Sequence, residues 1–324
     1  MLRYVIKRIL LIIPIMIAST ILVFTLMYFC PGDPATMILG NEADPAAITA
    51  LREKMGLNDP YIVRLGKTLW NYAHLDLGNS YMSGKAVAGE LAMRIPNSLR
   101  LSLIGIVIGL AIGLPVGILS AVHHDTPMDY VGMFIALLGI SRPGFWLALM
   151  MISLFAVKLQ WLPPFGVGGL KYWILPVLST MFGGFAGFAR QSRSSMLDVL
   201  YSDYIVMARS KGLPEREVIL KHALPNALIP IVTMVGGSLG GAIGGGMITE
   251  TVFSIPGVGF YLTDAIANRD YIVIQSCVIV MGVVFTLMMV VTDIVLAAVD
   301  PRIKAQFASK SRRAPKERKA AANG

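Results

Sequence analysis

Charge is scarce in this chain. Of its 324 residues 15% are charged and 55% hydrophobic, with a mean hydropathy of +0.68. Soluble domains carry about 25% charged residues, so the composition excludes a water-soluble globule of this size. Cysteine is nearly absent, and Cys30 and Cys277 sit at or inside apolar stretches. They form neither a disulfide framework nor a metal spacing, and they say nothing about redox compartment. His74, His123, His124 and His222 all fall outside the cores of the apolar blocks, which argues against direct metal ligation. Asp293 is the carboxylate well inside such a block, Glu250 being terminal. An intramembrane enzyme needs facing aspartates or a Ser–His pair, and the material for either is missing. A phosphate-binding G-x-x-x-x-G-K-[ST] loop is missing too. Gly66-Lys67-Thr68 comes nearest, but Tyr61 stands where the first glycine must be.

What is present is long apolar blocks. Crossing a bilayer takes about 20 residues of helix. Six blocks qualify, at 9–29, 98–121, 130–157, 172–192, 228–250 and 272–299. The first follows Arg3, Lys7 and Arg8 as a signal peptide would, yet its apolar stretch is too long and no A-x-A-like site follows. Tyr28-Phe29 before Cys30 is too bulky for lipoprotein processing. The expectation is an all-α integral membrane protein with six transmembrane helices.

The net charge of +9 is unevenly placed. The N-terminal segment, the 191–227 loop with Arg190, and the tail carry 3, 6 and 8 Lys/Arg, whereas loops 158–171 and 251–271 hold three together. Positive charge favours the cytoplasmic side, so both termini are expected there, in a multi-pass protein of the cytoplasmic (inner) membrane. The basic tail, 305–324, reads as disordered and suits lipid head groups better than nucleic acid. The chain thus divides into residues 1–30 (N-terminal segment and first span), an extracytoplasmic loop 31–97, a core 98–304 containing the cytoplasmic loop 193–227, and the tail.

Loop 31–97 holds two stretches of helical periodicity. One covers 47–55 and ends at Gly56; the other covers 61–75, with Ile62, Leu65, Leu69 and Tyr72 on one face. Both are expected as a small cap over a pore. Gly105, Gly109, Gly113 and Gly117 line one face of the second span; Gly236, Gly240 and Gly244 do so on the fifth. Small residues at this spacing let helix backbones approach, within the chain or against another subunit. A glycine-dense fifth span should also bend easily, as a gate does. Arg142 falls near the middle of the third span between Ser141 and Pro143. A guanidinium at that depth faces either a water-filled path, where it could meet an anionic substrate group, or a structural carboxylate such as Asp293.

In the 193–227 loop, Asp203-Tyr204-Ile205-Val206-Met207-Ala208-Arg209-Ser210-Lys211-Gly212 reads as a short helix closed by glycine. Leu213-Pro214 starts a second, with Glu215 and Glu217 in its first turn and Lys221 and His222 in its last, and Leu224-Pro225 is expected to break it. A DNA-binding helix-turn-helix has the same outline. Two flanking membrane spans exclude it.

Here the sequence resembles the inner-membrane permease subunits of dipeptide, oligopeptide and nickel ATP-binding-cassette importers, a type I importer permease fold. Ala208, Gly212 and Leu224-Pro225 fit the family's cytoplasmic EAA loop, with Val206 and Met207 in place of the namesake glutamate and alanine. Arg193-Ser-Ser-Met-Leu-Asp-Val-Leu200, Pro31-Gly-Asp-Pro34, Gly56-Leu-Asn-Asp-Pro60, Asp76-Leu-Gly78, Arg94-Ile-Pro96, Arg269-Asp-Tyr271 and Asp300-Pro-Arg-Ile303 are similar as well. So is Glu250-Thr-Val-Phe253-Ser-Ile-Pro256-Gly257-Val-Gly259, which the resemblance places in an extracytoplasmic gate or loop. Arg142 beside Pro143, Ser210, Leu75 and Leu296 depart from the family pattern.

The resemblance implies a non-catalytic subunit that binds no cofactor of its own. Its partners would be two ATPase subunits holding ATP and Mg2+, a paralogous second permease or a second copy, an extracytoplasmic substrate-binding protein, and membrane lipid, with no nucleic acid. Asp203, Tyr204, Ala208, Arg209, Lys211, Gly212, Leu213, Leu224 and Pro225 would couple the chain to the ATPases, and Ser141, Arg142 and Pro143 would line the path. Peptides are the implied substrate. A nickel chelate, glutathione or another small solute is the alternative, and a passive channel is the rival class.

Overall fold

The computed structural model describes residues 6, 8–30, 32–40, 42–244 and 246–299. Arg3, Lys7, Pro31, Gly245, the 300–303 ending, the tail and the side chain of Leu296 lie outside that description. Among the described residues the architecture is all-helical, with one isolated bridge between Asn79 and Ala86.

Helix α1 (Ile12–Phe29) continues an apolar run from Arg8. Asp33 and Asp44 each accept a hydrogen bond from the N–H two residues on (Ala35 at 3.2 Å, Ala46 at 3.0 Å), and each precedes a proline. A carboxylate cap before proline at the first helical position starts α2 (Pro34–Leu39) and α3 (Pro45–Lys54). Gly56, at φ +65°, stops the chain after α3. Next comes α4 (Tyr61–Ala73), laid on α1 through a 2.7 Å hydrogen bond between the Tyr61 and Thr25 hydroxyls.

The second span, α5 (Val87–Val122), starts well before the apolar block and absorbs Arg94-Ile95-Pro96. The third is broken. Its halves α6 (Pro127–Ser141) and α7 (Gly144–Met151, extended by a wider π turn to Lys158) meet at 97°. Arg142 is extended at φ −101° and ψ 143°, as the residue before a proline prefers.

The fourth span, α8 (Lys171–Leu200), is longer than its apolar block, and the short α9 (Asp203–Ser210) follows it. Then α10 (Glu215–Gly240) runs unbroken through Leu224-Pro225, contrary to the break expected there. The π turn Val218–Ala223 explains this: wider winding just before the proline relieves its clash with the preceding turn. The 228–250 block is not one helix either. It ends at Gly240, and α11 (Met247–Val252) begins after a glycine-rich turn. Glycine is worth about 1 kcal/mol less than alanine in a helix, so the cluster favours a stop. Two helices complete the fold, α12 (Val258–Ala267) and α13 (Tyr271–Val299).

The glycine faces pack within the chain. A Cβ on Gly109 would come 3.0 Å from the Phe185 nitrogen, on Gly113 2.7 Å from the Phe185 oxygen, and on Gly117 into the Ala189 carbonyl. These contacts lay α5 against α8 backbone to backbone. Gly236 faces Thr292 and Gly240 faces Phe285, both on α13.

The described part of the 31–97 segment is clasped to α1 and α13. The Tyr72 hydroxyl meets Ser276 Oγ at 3.3 Å, Ser276 donates to the Leu77 carbonyl at 2.9 Å, and Ser80 donates to Asp270 at 2.6 Å. Burial pushes the Tyr72 hydroxyl up to about 12, so it stays protonated in this contact.

Candidate functional site

The coupling residues gather on and behind α9. Ile205 and Ala208 are buried one turn apart and face a cluster with Met196 and Leu200 of α8 and Val218 and Ala223 of α10. The opposite side of α9 is exposed although apolar: Tyr204 is 44% accessible, Val206 54% and Met207 58%. Val206 and Met207 therefore face outward at the very positions where the sequence departs from the EAA pattern.

Lys211 ends the helix, and Gly212 reverses the chain at φ +77°, its N–H donating to the Arg209 carbonyl at 2.9 Å. Asp203, Lys211, Gly212 and Pro225 are exposed, whereas Leu213 and Leu224 are half-buried against the cluster. Arg209 grips Glu215 at 2.6 and 3.1 Å, closing the turn between α9 and α10. Pairing with Glu215 raises the Arg209 guanidinium above its ordinary range. Both partners are solvent-accessible, so the pair contributes about 0–1 kcal/mol and serves mainly to orient the turn.

Ala208 thus belongs to the base of the loop and not to its outer surface. Packed this way, α9 shares its buried side with α8 and α10. A second tie strengthens that end. Arg193 of α8 forks onto both oxygens of buried Asp129 on α6, at 2.6 and 2.7 Å. The pairing went unread in the sequence because the partners are 64 residues apart; Arg193 was visible only as part of a motif.

At the opposite end, Glu250, Phe253, Pro256, Gly257 and Gly259 converge into a buried knot. The Glu250 side chain is 0% exposed, and its Oε2 accepts the Phe260 N–H at the start of α12 at 3.0 Å. A Cβ on Gly257 would strike that carboxylate, and one on Gly259 would lie 2.5 Å from Met247 Cα. These contacts account for the glycine spacing. Two residues of α5 that sequence reasoning did not single out complete the knot. Ser98 Oγ accepts the Val258 N–H at 2.8 Å, and Asn97 donates to the Pro256 carbonyl at 3.0 Å. Glu250→Ala is expected to destabilise the protein by about 1–3 kcal/mol, the cost of orphaning a buried donor. Glu250→Gln, which keeps an acceptor, should lose less; thermal unfolding in detergent checks both.

Beside the knot, Ser80, Glu90, Arg94, Tyr261, Asp264 and Asp270 lie among the residues lining a cavity of about 180 Å³. Arg94 pairs with Glu90 at 2.7 Å and lies 4.3 Å from the Tyr261 ring centre.

Ser141, Arg142 and Pro143 form the break between α6 and α7. Ser141 Oγ donates to its own helix at the Leu137 carbonyl, 2.9 Å away. Asp293 does not serve Arg142, since it pairs with Arg8 at 2.8 Å and ties α1 to α13. The Arg142 guanidinium instead lies 4.5 Å from the Phe182 ring centre.

Among the described residues, five spanning-length helices and a bent pair making a sixth, with an anchored loop carrying an exposed apolar helix, define a multi-pass membrane protein. Its sequence narrows the class to transport. The profile for the binding-protein-dependent transport system inner membrane component matches residues 113–305, and the corresponding N-terminal profile matches residues 1–102. The dipeptide transport system permease protein DppB of Alkalihalophilus pseudofirmus is 41% identical over 94% of this chain and 100% of that one. The glutathione transport system permease protein GsiC of Escherichia coli K12 is 40% identical over 94% of this chain and 99% of that one. A structure of the MetNI methionine ABC transporter in inward-facing conformations superposes with a TM-score of 0.57 and 19% identity, covering 65% of this chain and 96% of that one. That likeness shows the type I importer permease fold. The chain belongs to the binding-protein-dependent transport system inner membrane component family. It is a permease subunit of an ATP-binding-cassette importer, a multi-pass membrane protein that works with ATPase partners.

Proposed function

We propose that this subunit imports peptides across the cytoplasmic membrane, with both termini in the cytoplasm and α9 seated in a partner ATPase. The reading rests above all on the exposed apolar side of α9 above a buried base. An apolar face on an otherwise polar loop is what a partner covers, and the base carries its motion into α8 and α10. Two ATPases would supply ATP and Mg2+, a paralogous permease the other half of the path, and a binding protein the substrate at the outer face. Nucleotide must favour one state over the other by about 5.5 kcal/mol to reverse a 1:99 population, and that energy would come from the ATPases.

Met207→Asp is expected to weaken ATPase association by roughly tenfold or more, because a carboxylate would be buried without a partner. Co-purification from membranes checks it, and retention at the wild-type level would sink the docking assignment. For substrate, the names of the dipeptide and glutathione relatives support peptides, with glutathione itself as the second reading. Uptake competition by di-, tri- and longer peptides and by glutathione, in cells with and without this chain, separates them. A solute whose entry is independent of this chain is not its substrate.

A further inference from the structure

Arg8 pairs with Asp293, Arg94 with Glu90 and Arg193 with Asp129, whereas Arg100 lies 5.5 Å from the Trp173 ring centre. Arg142 meets no acid among the described residues. Its Nη2 is buried without a hydrogen-bond partner, and its charge rests against the Phe182 ring.

Depth makes this costly. The 15 residues of α6 reach about 22 Å along the helix axis, which leaves the break within a hydrocarbon layer about 30 Å thick. Broken backbone at such depth persists only where protein covers it or where it lines a wet cavity. The Arg142 side chain as a whole is only half-buried, so part of the guanidinium can be reached from outside the chain. A half-buried planar fork of donors with one nitrogen unpartnered and no acid of its own matches one kind of group best, a carboxylate.

We propose that Arg142 receives the free carboxylate of a peptide in transit and so makes that charge a determinant of uptake. The assignment rests on the peptide reading above. Neither Ser141 nor Pro143 supplies a charge, so discrimination would fall on Arg142 alone.

The test uses the complete transporter in proteoliposomes with saturating binding protein. The probes are two tripeptides of one sequence, one with a free C-terminus and one amidated. The binding protein's own affinity for each is measured separately and divided out. Wild type should prefer the free form. R142Q should lower its uptake by roughly 10- to 100-fold, the effect of losing a charged hydrogen bond, and leave the amidated peptide unchanged. R142M, whose unbranched stem can still lie on Phe182, answers the same question should R142Q fail to accumulate. Equal uptake of the two peptides by wild type, or no selective loss in the variants, would overturn the carboxylate assignment while leaving the peptide reading intact. Equal loss of both peptides together with disassembly of the complex would overturn it in favour of an acidic side chain on a partner subunit. Uptake of neither peptide by wild type would overturn the peptide reading and this inference with it.

Discussion

Gly212→Val is expected to abolish ATP-driven uptake while the chain still accumulates in the membrane. At φ +77° a β-branched side chain is strained whatever the space around it, by about 1–3 kcal/mol. Yet a Cβ there meets nothing within 4 Å, so no packing is lost and the fold has no reason to fail. The strain is relieved locally, by re-aiming α9 relative to α10. Gly212→Asn should retain far more activity, since asparagine tolerates the left-handed region. Membrane abundance, ATPase co-purification and uptake are measured together. Normal uptake by Gly212→Val would remove Gly212 from the coupling device.

Gly117→Leu should have the opposite signature, loss of the protein itself. The added carbon would run into the Ala189 carbonyl and come 2.5 Å from Ser192 Cβ, and backbone cannot swing aside as a side-chain tip can. Overpacking costs about 1–3 kcal/mol where side chains can yield, and more is expected against backbone. The folding equilibrium constant should fall at least roughly tenfold, the factor that 1.4 kcal/mol represents, and the folded, detergent-extractable form should fall with it. Gly237→Leu is the control. Nothing lies within 4 Å of its Cβ, so normal abundance is expected. Equal abundance of both variants, measured by fluorescence-detected size exclusion, would dismiss the close α5–α8 contact.

Much of this was legible along the chain because bilayer thickness and glycine spacing are local signals. The apolar blocks located all six spans, counting the bent one, and the glycine at the end of α9 stands at positive φ as its place in the sequence suggests. The apolar pattern could not show that the third span breaks or that the fifth stops at Gly240, because hydropathy reports burial from water and not backbone direction. Leu224-Pro225 misled for a related reason. A proline signals a break unless a wider turn precedes it, and composition does not reveal that winding. Pairings across the fold were the least visible. Asp293 was open to Arg142 or to another cation until the structure brought Arg8 to it. Glu250 stood out as part of a motif, yet only the fold shows that its carboxylate binds the start of α12 beneath two glycines.

The glycine face of α5 has one more consequence. Its approach to α8 tightens steadily, from the Thr180 side chain at Gly105 to the Ala189 carbonyl at Gly117. The tightest point lies nearer the α9 end of α8, where a fulcrum would sit if α9 drives α8 as proposed. From Ala189 the helix extends about 16 Å to Leu200 and about 27 Å back to Lys171, at 1.5 Å per residue. A rigid α8 rocked there by α9 would therefore move its far end about 1.6 times as much as its near end. A small stroke at the ATPase would arrive enlarged beside the Glu250 knot, and the closest approach of α5 to α8 would set the gearing.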